Sequence, residues 1–391
     1  MKKAIKYIII AGILVFAAIA FSKYYGFIND FNNFDNKENI QDEFISDDDI
    51  KNSLFKEYYE QARKTVTNMT LEEKVGQLFL VRYRQADVEY LSNFNPGGYI
   101  LFARDFENHT KEQMKDEITT DQKLNKYGLI MGVDEEGGFV TRVSRFPAFR
   151  SEKFKSPRAY YDEGGYQLLE QTENEKAKIL KEIGINLNLA PVADISTNPD
   201  DFINNRAFGY DATKTSEFVK NMVTYANNNK INSCLKHFPG YGNNVDTHTG
   251  IAIDERNYEN FVSNDYLPFK AGIEANVPSV LISHNVVKSI DENYPASLSK
   301  DMVNELRNKL GFTGIIMTDD LAMDAVKSYV EDGHAATLAI QAGNDMIITS
   351  DFMAMYKEVI NSVNEGILSE EQINKAVLRI IAWKYYSNIL K

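Results

Sequence analysis

The chain of 391 residues has a single cysteine, Cys234, and five histidines. One thiol excludes an internal disulfide framework and a thiolate metal cage, and its place in an apolar run just ahead of Lys236 makes it a buried thiol. Positive charge is also scarce: 43 Lys and Arg against 56 Asp and Glu leave a formal net charge of −13. Nucleic-acid phosphates would be repelled, so no nucleic-acid partner is expected, and the folded part is disfavoured on anionic polymers or lipid headgroups. No repeat, Pro-rich stretch or Gly/Ser-rich stretch subdivides the chain. The absence of Gly-x-Gly-x-x-Gly weakens a dinucleotide-binding fold. Neither His-x-His nor His-Glu-x-x-His occurs, which weakens a metal-dependent hydrolase.

What is present begins with an apolar run. Residues 1–21 place Lys2, Lys3 and Lys6 around the start of a nearly unbroken hydrophobic stretch, the pattern of an export signal. Ala18-Ile19-Ala20 fits a small-x-small cleavage site, and the run is short for a span of roughly 20 residues. Residues 1–25 are therefore read as a cleaved signal or a retained membrane anchor, with the protein secreted or held at the extracellular face of the membrane. No cysteine follows the run, which excludes a lipoprotein anchor. Residues 26–53 are rich in Asn, Asp and Glu, with Asp47-Asp48-Asp49 near their end. Such low hydrophobicity and like charge cannot offset ordering entropy, so this is expected to be a flexible acidic linker. Residues 54–391 read as one domain.

Within it, Thr70-Leu71-Glu72-Glu73 is a capping box that opens a helical turn before Gly76. Eight short apolar runs then follow, at 77–81, 98–102, 129–133, 185–192, 232–235, 279–283, 314–318 and 345–349, nearly all bounded by Gly, Pro or Asn. Amphipathic stretches such as 215–228, 301–310 and 334–341 lie between them. Such alternation predicts a parallel sheet covered by helices, and eight units predict an α/β fold of the (β/α)8 barrel type. Asp134, Asp194, Lys236 with His237, His284 and Asp319 each end or follow a different run. In a barrel those strand ends share one mouth, where active sites form.

Asp319 is the candidate nucleophile: a carboxylate at a buried strand end, ahead of a helix expected from about Leu321 whose N–H dipoles favour negative charge. Asp320 is the better placed of the two to cap that helix. Asp246-Thr247-His248 follows a Gly- and Asn-rich loop, and in extended chain residues two apart point the same way. Asp246 can then orient the His248 imidazole, which titrates near pH 6.5 and can both give and take a proton. Lys236 and His237 are placed to bond substrate hydroxyls, with a salt bridge from Lys236 to Asp134 or Asp319 as a coexisting role. Asp134 precedes a Gly137-Gly138 turn that allows close backbone approach, and Arg142 and Arg206 each offer a fork of donors. A divalent-metal reading would draw on His237, Asp246, His248 and His284.

These motifs resemble glycoside hydrolase family 3, in its β-N-acetylglucosaminidase branch, from Met69 to the C-terminus. The stretches that carry the resemblance are Met69-Thr70-Leu71-Glu72-Glu73-Lys74-Val75-Gly76-Gln77, Val133-Asp134-Glu135-Glu136-Gly137-Gly138, Asn205-Arg206-Ala207-Phe208-Gly209, the segment 236–242, Asp246-Thr247-His248 and Thr318-Asp319-Asp320-Leu321. The resemblance implies a retaining mechanism with Asp319 as nucleophile and His248, held by Asp246, as acid–base residue. It implies that Asp134, Arg142, Arg206, Lys236 and His237 bind the terminal sugar, and that no metal, organic cofactor or obligate protein partner is needed. Glucosidases and xylosidases of the family commonly draw a catalytic Glu from a second domain, whereas this sequence ends soon after its eighth run. Tyr241 stands where relatives often carry His, and the loop ahead of Asp246 looks slightly short. The expected activity is exo-β-N-acetylglucosaminidase on cell-wall fragments or related GlcNAc oligosaccharides. A β-glucosidase or β-xylosidase, and a catalytically silent sugar-binding surface protein, are the alternatives.

Overall fold

Each of the eight expected apolar runs overlaps a strand of one parallel barrel, with the first, Phe79–Arg82, and the fifth, Asn232–Phe238, running past the expected ends at 81 and 235. The computed structural model describes residues 50–242, 244, 252–323, 326, 329–330 and 334–391. The expected signal or anchor, residues 26–49 of the expected linker, and the candidates Asp246 and His248 lie outside the described residues. The barrel strands are β1 (Phe79–Arg82), β2 (Gly98–Leu101), β3 (Ile130–Val133), β4 (Leu187–Asn188), β5 (Asn232–Phe238), β7 (Ser279–Ile282), β9 (Ile315–Thr318) and β10 (Ile347–Thr349). Their order is β10-β1-β2-β3-β4-β5-β7-β9, with every pairing parallel. A bridge between Met317 and Met346, with Thr318 N–H donating to the Met346 carbonyl at 3.1 Å, brings the two ends together. Helices cover the outside, so the strands are buried throughout, and their sequences are near-continuous apolar runs rather than alternating ones.

Local chemistry sets the element ends. Thr70 accepts from the Glu73 N–H while the Glu73 carboxylate accepts from the Thr70 N–H, which starts the helix Leu71–Gln77. The expected helix at 215–228 is Ala212–Asn228, opened by Asp211 accepting from the Lys214 N–H. The stretch expected as one helix at 301–310 is a helix, Lys300–Asn304, that widens into a π-helical turn, Glu305–Lys309. A small parallel pair, β6 (Ile253–Asp254) and β8 (Val286–Val287), lies outside the eight runs; two-residue strands carry no readable periodicity.

The C-terminal helix Glu370–Tyr386 packs its apolar face on the barrel. Trp383, fully buried, donates its indole N–H to Asn232 Oδ1 at 2.8 Å, and Lys384 Nζ donates to Gln77 Oε1 at 2.7 Å and the Gly128 carbonyl at 2.6 Å. Asn232 begins β5 and Gly128 precedes β3, so this helix ties itself to the N-terminal ends of the strands, away from the mouth. Among the described residues no helix is long and apolar enough to cross a membrane.

Candidate active site

The C-terminal strand ends surround a cleft of about 490 Å³ to which all eight strands or the residues just after them contribute, from Arg82 at the end of β1 to Ile348 in β10. Asp134, Arg142, Arg206, Lys236, His237 and Asp319, all singled out in the sequence, line this one cleft. Arg82, Phe102 and Phe202 line it as well.

Lys236 is the hub. Its Nζ contacts Asp134 Oδ1 at 2.5 Å and Glu136 Oε1 at 2.6 Å. Arg206 grips the same Glu136 with two parallel bonds, Nε to Oε2 at 3.0 Å and Nη2 to Oε1 at 2.7 Å. Burial alone would raise the Glu136 carboxyl, but the Lys236 and Arg206 charges outweigh it and hold the group well below the usual carboxylate range. Burial would likewise strip the proton from Lys236, and Asp134 and Glu136 reverse that, raising its pKa. The ion pair foreseen for Lys236 is therefore shared between Asp134 and Glu136. Because the pair leaves both ions charged, the pocket floor is fixed and strongly polar, as recognition of sugar hydroxyls requires.

His237 is oriented by the same network. Arg206 Nη2 lies 3.1 Å from His237 Nε2, and a guanidinium can only donate, so Nε2 accepts. The ring proton is thereby assigned to Nδ1, which donates to Asp194 Oδ2 at 2.7 Å. Asp194 also accepts the backbone N–H groups of His237 and Tyr241, at 3.0 and 2.8 Å. Both ring nitrogens of His237 are thus engaged by the protein, and the ring aims Arg206 rather than presenting a bare nitrogen to the cleft. The Tyr241 ring packs edge-on against His237, with 5.0 Å between ring centres. A register shift between Leu235 and Phe238 in β5 accompanies the turning of Lys236 and His237 toward the mouth.

Arg142 Nη2 is 3.9 Å from Asp134 Oδ2, and its guanidinium lies 5.4 Å over the Phe102 ring. Its loop is shaped by Glu135, which turns away from the cleft and accepts the N–H groups of Arg142 and Val143 at 2.7 Å and bonds to the Ser144 hydroxyl. The Arg142 Nε is a buried donor with no partner among the described residues.

Asp319 follows β9, its N–H donating to the Ile282 carbonyl at 3.0 Å and its Oδ1 accepting the Asp320 N–H at 2.8 Å. Asp320 takes the capping role, accepting from the N–H groups of Ala322 at 2.9 Å and Ser350 at 3.1 Å. Where a helix is expected from about Leu321, residues 321–323 form a turn and Val326, just beyond, is helical. Among the described residues the Asp320 N–H is one donor that supports the Asp319 carboxylate. His284 secures this turn: Nε2 donates to the Asp320 carbonyl at 3.1 Å, and Nδ1 is 2.7 Å from Ser297 Oγ.

Residues 70–383 match the model of the glycosyl hydrolase family 3 N-terminal domain. The chain belongs to glycosyl hydrolase family 3. A β-hexosaminidase of Nitrosomonas eutropha is 31% identical over 284 residues, 71% of this chain and 80% of that protein. One from Hydrogenovibrio crunogenus is 31% identical over 272 residues, 68% of this chain and 75% of its own. The solved structure of a family 3 β-N-acetylglucosaminidase from Paenibacillus sp. str. FPU-7 superposes with a TM-score of 0.76 at 26% identity, covering 82% of this chain and 63% of that one. This chain thus spans less than two thirds of that structure.

As a member of this family the chain is a glycoside hydrolase, and the cleft can be read for that chemistry. Sequence reasoning assigned no role to three of its polar supports. Glu136 stood inside a quoted motif, but three successive acids give no sign of which one turns inward. Asp194 was a strand-end acid, and its role became visible only with the His237 ring beside it. Arg82 lies one residue past the expected end of the first run; it pairs with Asp105 at 2.7 Å and stacks 4.4 Å over Phe102. The metal reading does not fit the described ligands, because the ring nitrogens of both His237 and His284 are engaged by neighbouring residues.

Proposed function

We propose that this protein is an exported, retaining exo-β-N-acetylglucosaminidase that releases terminal GlcNAc from cell-wall fragments or related oligosaccharides. The observation that carries the reading is the placement of Asp319 in the same cleft as the charged pocket built by Asp134, Glu136, Arg206, Lys236 and His237. A carboxylate facing a pocket rich in fixed donors and acceptors suits attack on the anomeric carbon of a bound sugar. Preference for GlcNAc is supported by the β-hexosaminidase relatives.

In this mechanism His248 protonates the leaving oxygen while Asp319 forms a glycosyl ester with C1. His248 then takes a proton from water as the water displaces Asp319. The scheme keeps the two-step logic of retaining glycosidases but gives one of the two carboxylate roles to an Asp246–His248 pair. The apolar N-terminal segment with its leading lysines supports export, where cell-wall glycans are met.

The test is hydrolysis of 4-nitrophenyl β-GlcNAc, β-glucoside and β-xyloside by the purified protein. The GlcNAc derivative is expected to be cleaved fastest, with anomeric configuration retained in the first product. Equal or faster cleavage of the glucoside, or inversion, overturns the reading. Product analysis on muropeptides and chitooligosaccharides, with and without phosphate, then fixes the natural acceptor and leaving group.

A further inference from the structure

Beside the cleft lies a second hollow, of about 260 Å³, and two short segments wall both. Val140 and Arg206 line the cleft, whereas their neighbours Gly138, Phe139, Asn205 and Ala207 line the hollow. Successive residues of one backbone therefore divide the hollow from the Arg206 side of the sugar pocket. Lys153 and Arg158 complete its charged lining, and among the described residues no Asp or Glu lines it. Phe139 is 74% exposed, an apolar ring left open to solvent at the edge of a polar hollow.

These two cations are unlike their neighbours. Segment 150–158 carries Arg150, Lys153, Lys155 and Arg158, in a chain whose net charge is −13. Arg150 pairs with Glu175 at 2.9 Å and Lys155 with Glu163 at 2.7 Å. Among the described residues Lys153 and Arg158 bond to carbonyls alone. Lys153 Nζ donates to Gly138 at 3.3 Å, and Arg158 donates from Nε to Phe208 at 2.9 Å and from Nη2 to Asn204 at 3.5 Å. Arg158 Nη1 and the other Lys153 protons thus have no acceptor among the described residues. The fork is firmly seated: Gly209 has φ +85°, and a Cβ there would collide with the Arg158 guanidinium, so only glycine admits it. Segment 205–209 therefore turns Arg206 into the sugar pocket and beds Arg158 on its other side.

We propose that this hollow is a leaving-group subsite that takes a carboxylate: the Arg158 fork and the Lys153 ammonium bind the acid, and Phe139 packs on the apolar face of the ring or chain that carries it. The proposal rests on the reading of the cleft as a β-N-acetylglucosaminidase site and narrows it to substrates with an acidic leaving group. The overall negative charge does not oppose this. Salt screens charges beyond about 8 Å, so a carboxylate inside the hollow meets these two cations first.

The experiment compares three substrates: the disaccharide of GlcNAc on N-acetylmuramic acid, its methyl ester, and the same disaccharide with alanine amide-linked to its acid. The ester keeps the shape and loses the charge, while the alanine form moves the carboxylate from the sugar to a peptide. Wild type is expected to cleave at least one acid with kcat/KM roughly fivefold or more above the ester, the gain lying in KM. Which acid gains tells whether the sugar's carboxylate or the peptide's is bound. Raising salt to about 1 M, where the Debye length falls to about 3 Å, is expected to shrink the ratio. Lys153→Glu is expected to abolish or reverse it, and Arg158→Gln to reduce it. Each ratio is taken within one variant, so a loss of folded protein cancels, and exposed Lys153 supplies the answer should Arg158→Gln not fold. Equal cleavage of both acids and the ester by wild type, or a ratio unmoved by Lys153→Glu, overturns the subsite alone. Failure of wild type to cleave these substrates and 4-nitrophenyl β-GlcNAc overturns the glucosaminidase reading, and the subsite with it.

Discussion

At Glu136 burial and charge pull in opposite directions, and charge wins. In the unfolded chain its carboxylate titrates near 4.5; folded, beside Lys236 and Arg206, it stays ionised to much lower pH. A depressed carboxylate contributes stability that is fully present above its unfolded value and drains away as pH falls toward the folded one. Urea unfolding is therefore expected to show stability falling below about pH 4.5, with Glu136→Gln flattening that fall. Near neutral pH, Glu136→Gln leaves two buried cations facing Asp134 and is expected to cost about 3–5 kcal/mol. A variant as stable as wild type would mean that Asp134 alone suffices. Asp319, the proposed nucleophile, bonds the neighbouring strand through its backbone N–H, a bond that alanine keeps. Asp319→Ala should keep the unfolding midpoint close to wild type while kcat falls at least on the order of 10³-fold. His248→Ala should slow poor leaving groups by roughly 10²–10⁴-fold and activated aryl glycosides far less; equal slowing of both would place the acid elsewhere.

The elements differ in how plainly the sequence announces them, for physical reasons. Strands buried on both faces must be apolar along their whole length, and a polar residue at the end of such a run has one direction to face, so the barrel and Asp134, Lys236, His237 and Asp319 were legible together. Features set by tertiary partners were not. The widening of 301–310 into a π-helical turn, the β6–β8 pair and the choice of Glu136 over Glu135 for the pocket depend on neighbours distant in sequence. Lys384 shows the same limit. Amphipathic spacing marks the helix Glu370–Tyr386 but does not reveal that this lysine is buried with only neutral acceptors, Gln77 and Gly128, among its described bonds. Burial lowers its pKa well below the ordinary value of 10.5. The unfolded chain thus holds a proton that the folded chain disfavours, and that penalty is present at neutral pH and fades as pH rises toward 10.5. Relative to Lys384→Met, wild type is expected to gain stability between about pH 7 and about pH 9.5, by at most about 1.4 kcal/mol per pH unit. Urea midpoints at the two pH values check this; a gap independent of pH would show that Lys384 keeps its charge in the fold.

Closure is the property of the whole barrel, and it links the two ends of the catalytic domain. β10 pairs with β1 and is bridged to β9, so the first and last barrel strands are neighbours and the barrel has no bare parallel edge among the described residues. The C-terminal helix then binds three separate points of the strand bottoms, through Asn232, Gln77 and Gly128. Opening any one strand pair therefore exposes the seat of that helix. The chain has one tryptophan, Trp383, and it is fully buried in that seat, so its emission reports the packing of the barrel as a whole. Trp383 fluorescence and far-ultraviolet circular dichroism are expected to trace the same urea transition, with a blue-shifted emission that moves red in a single step. A sugar bound at the opposite end should shift both probes together, by about 2.7 kcal/mol at a hundredfold excess over Kd, because ligation of the folded form stabilises everything that unfolds with it. Separate transitions, or a ligand shift seen by one probe alone, would mean that the helix releases before the strands and that the mouth and the base of the barrel are not one cooperative unit.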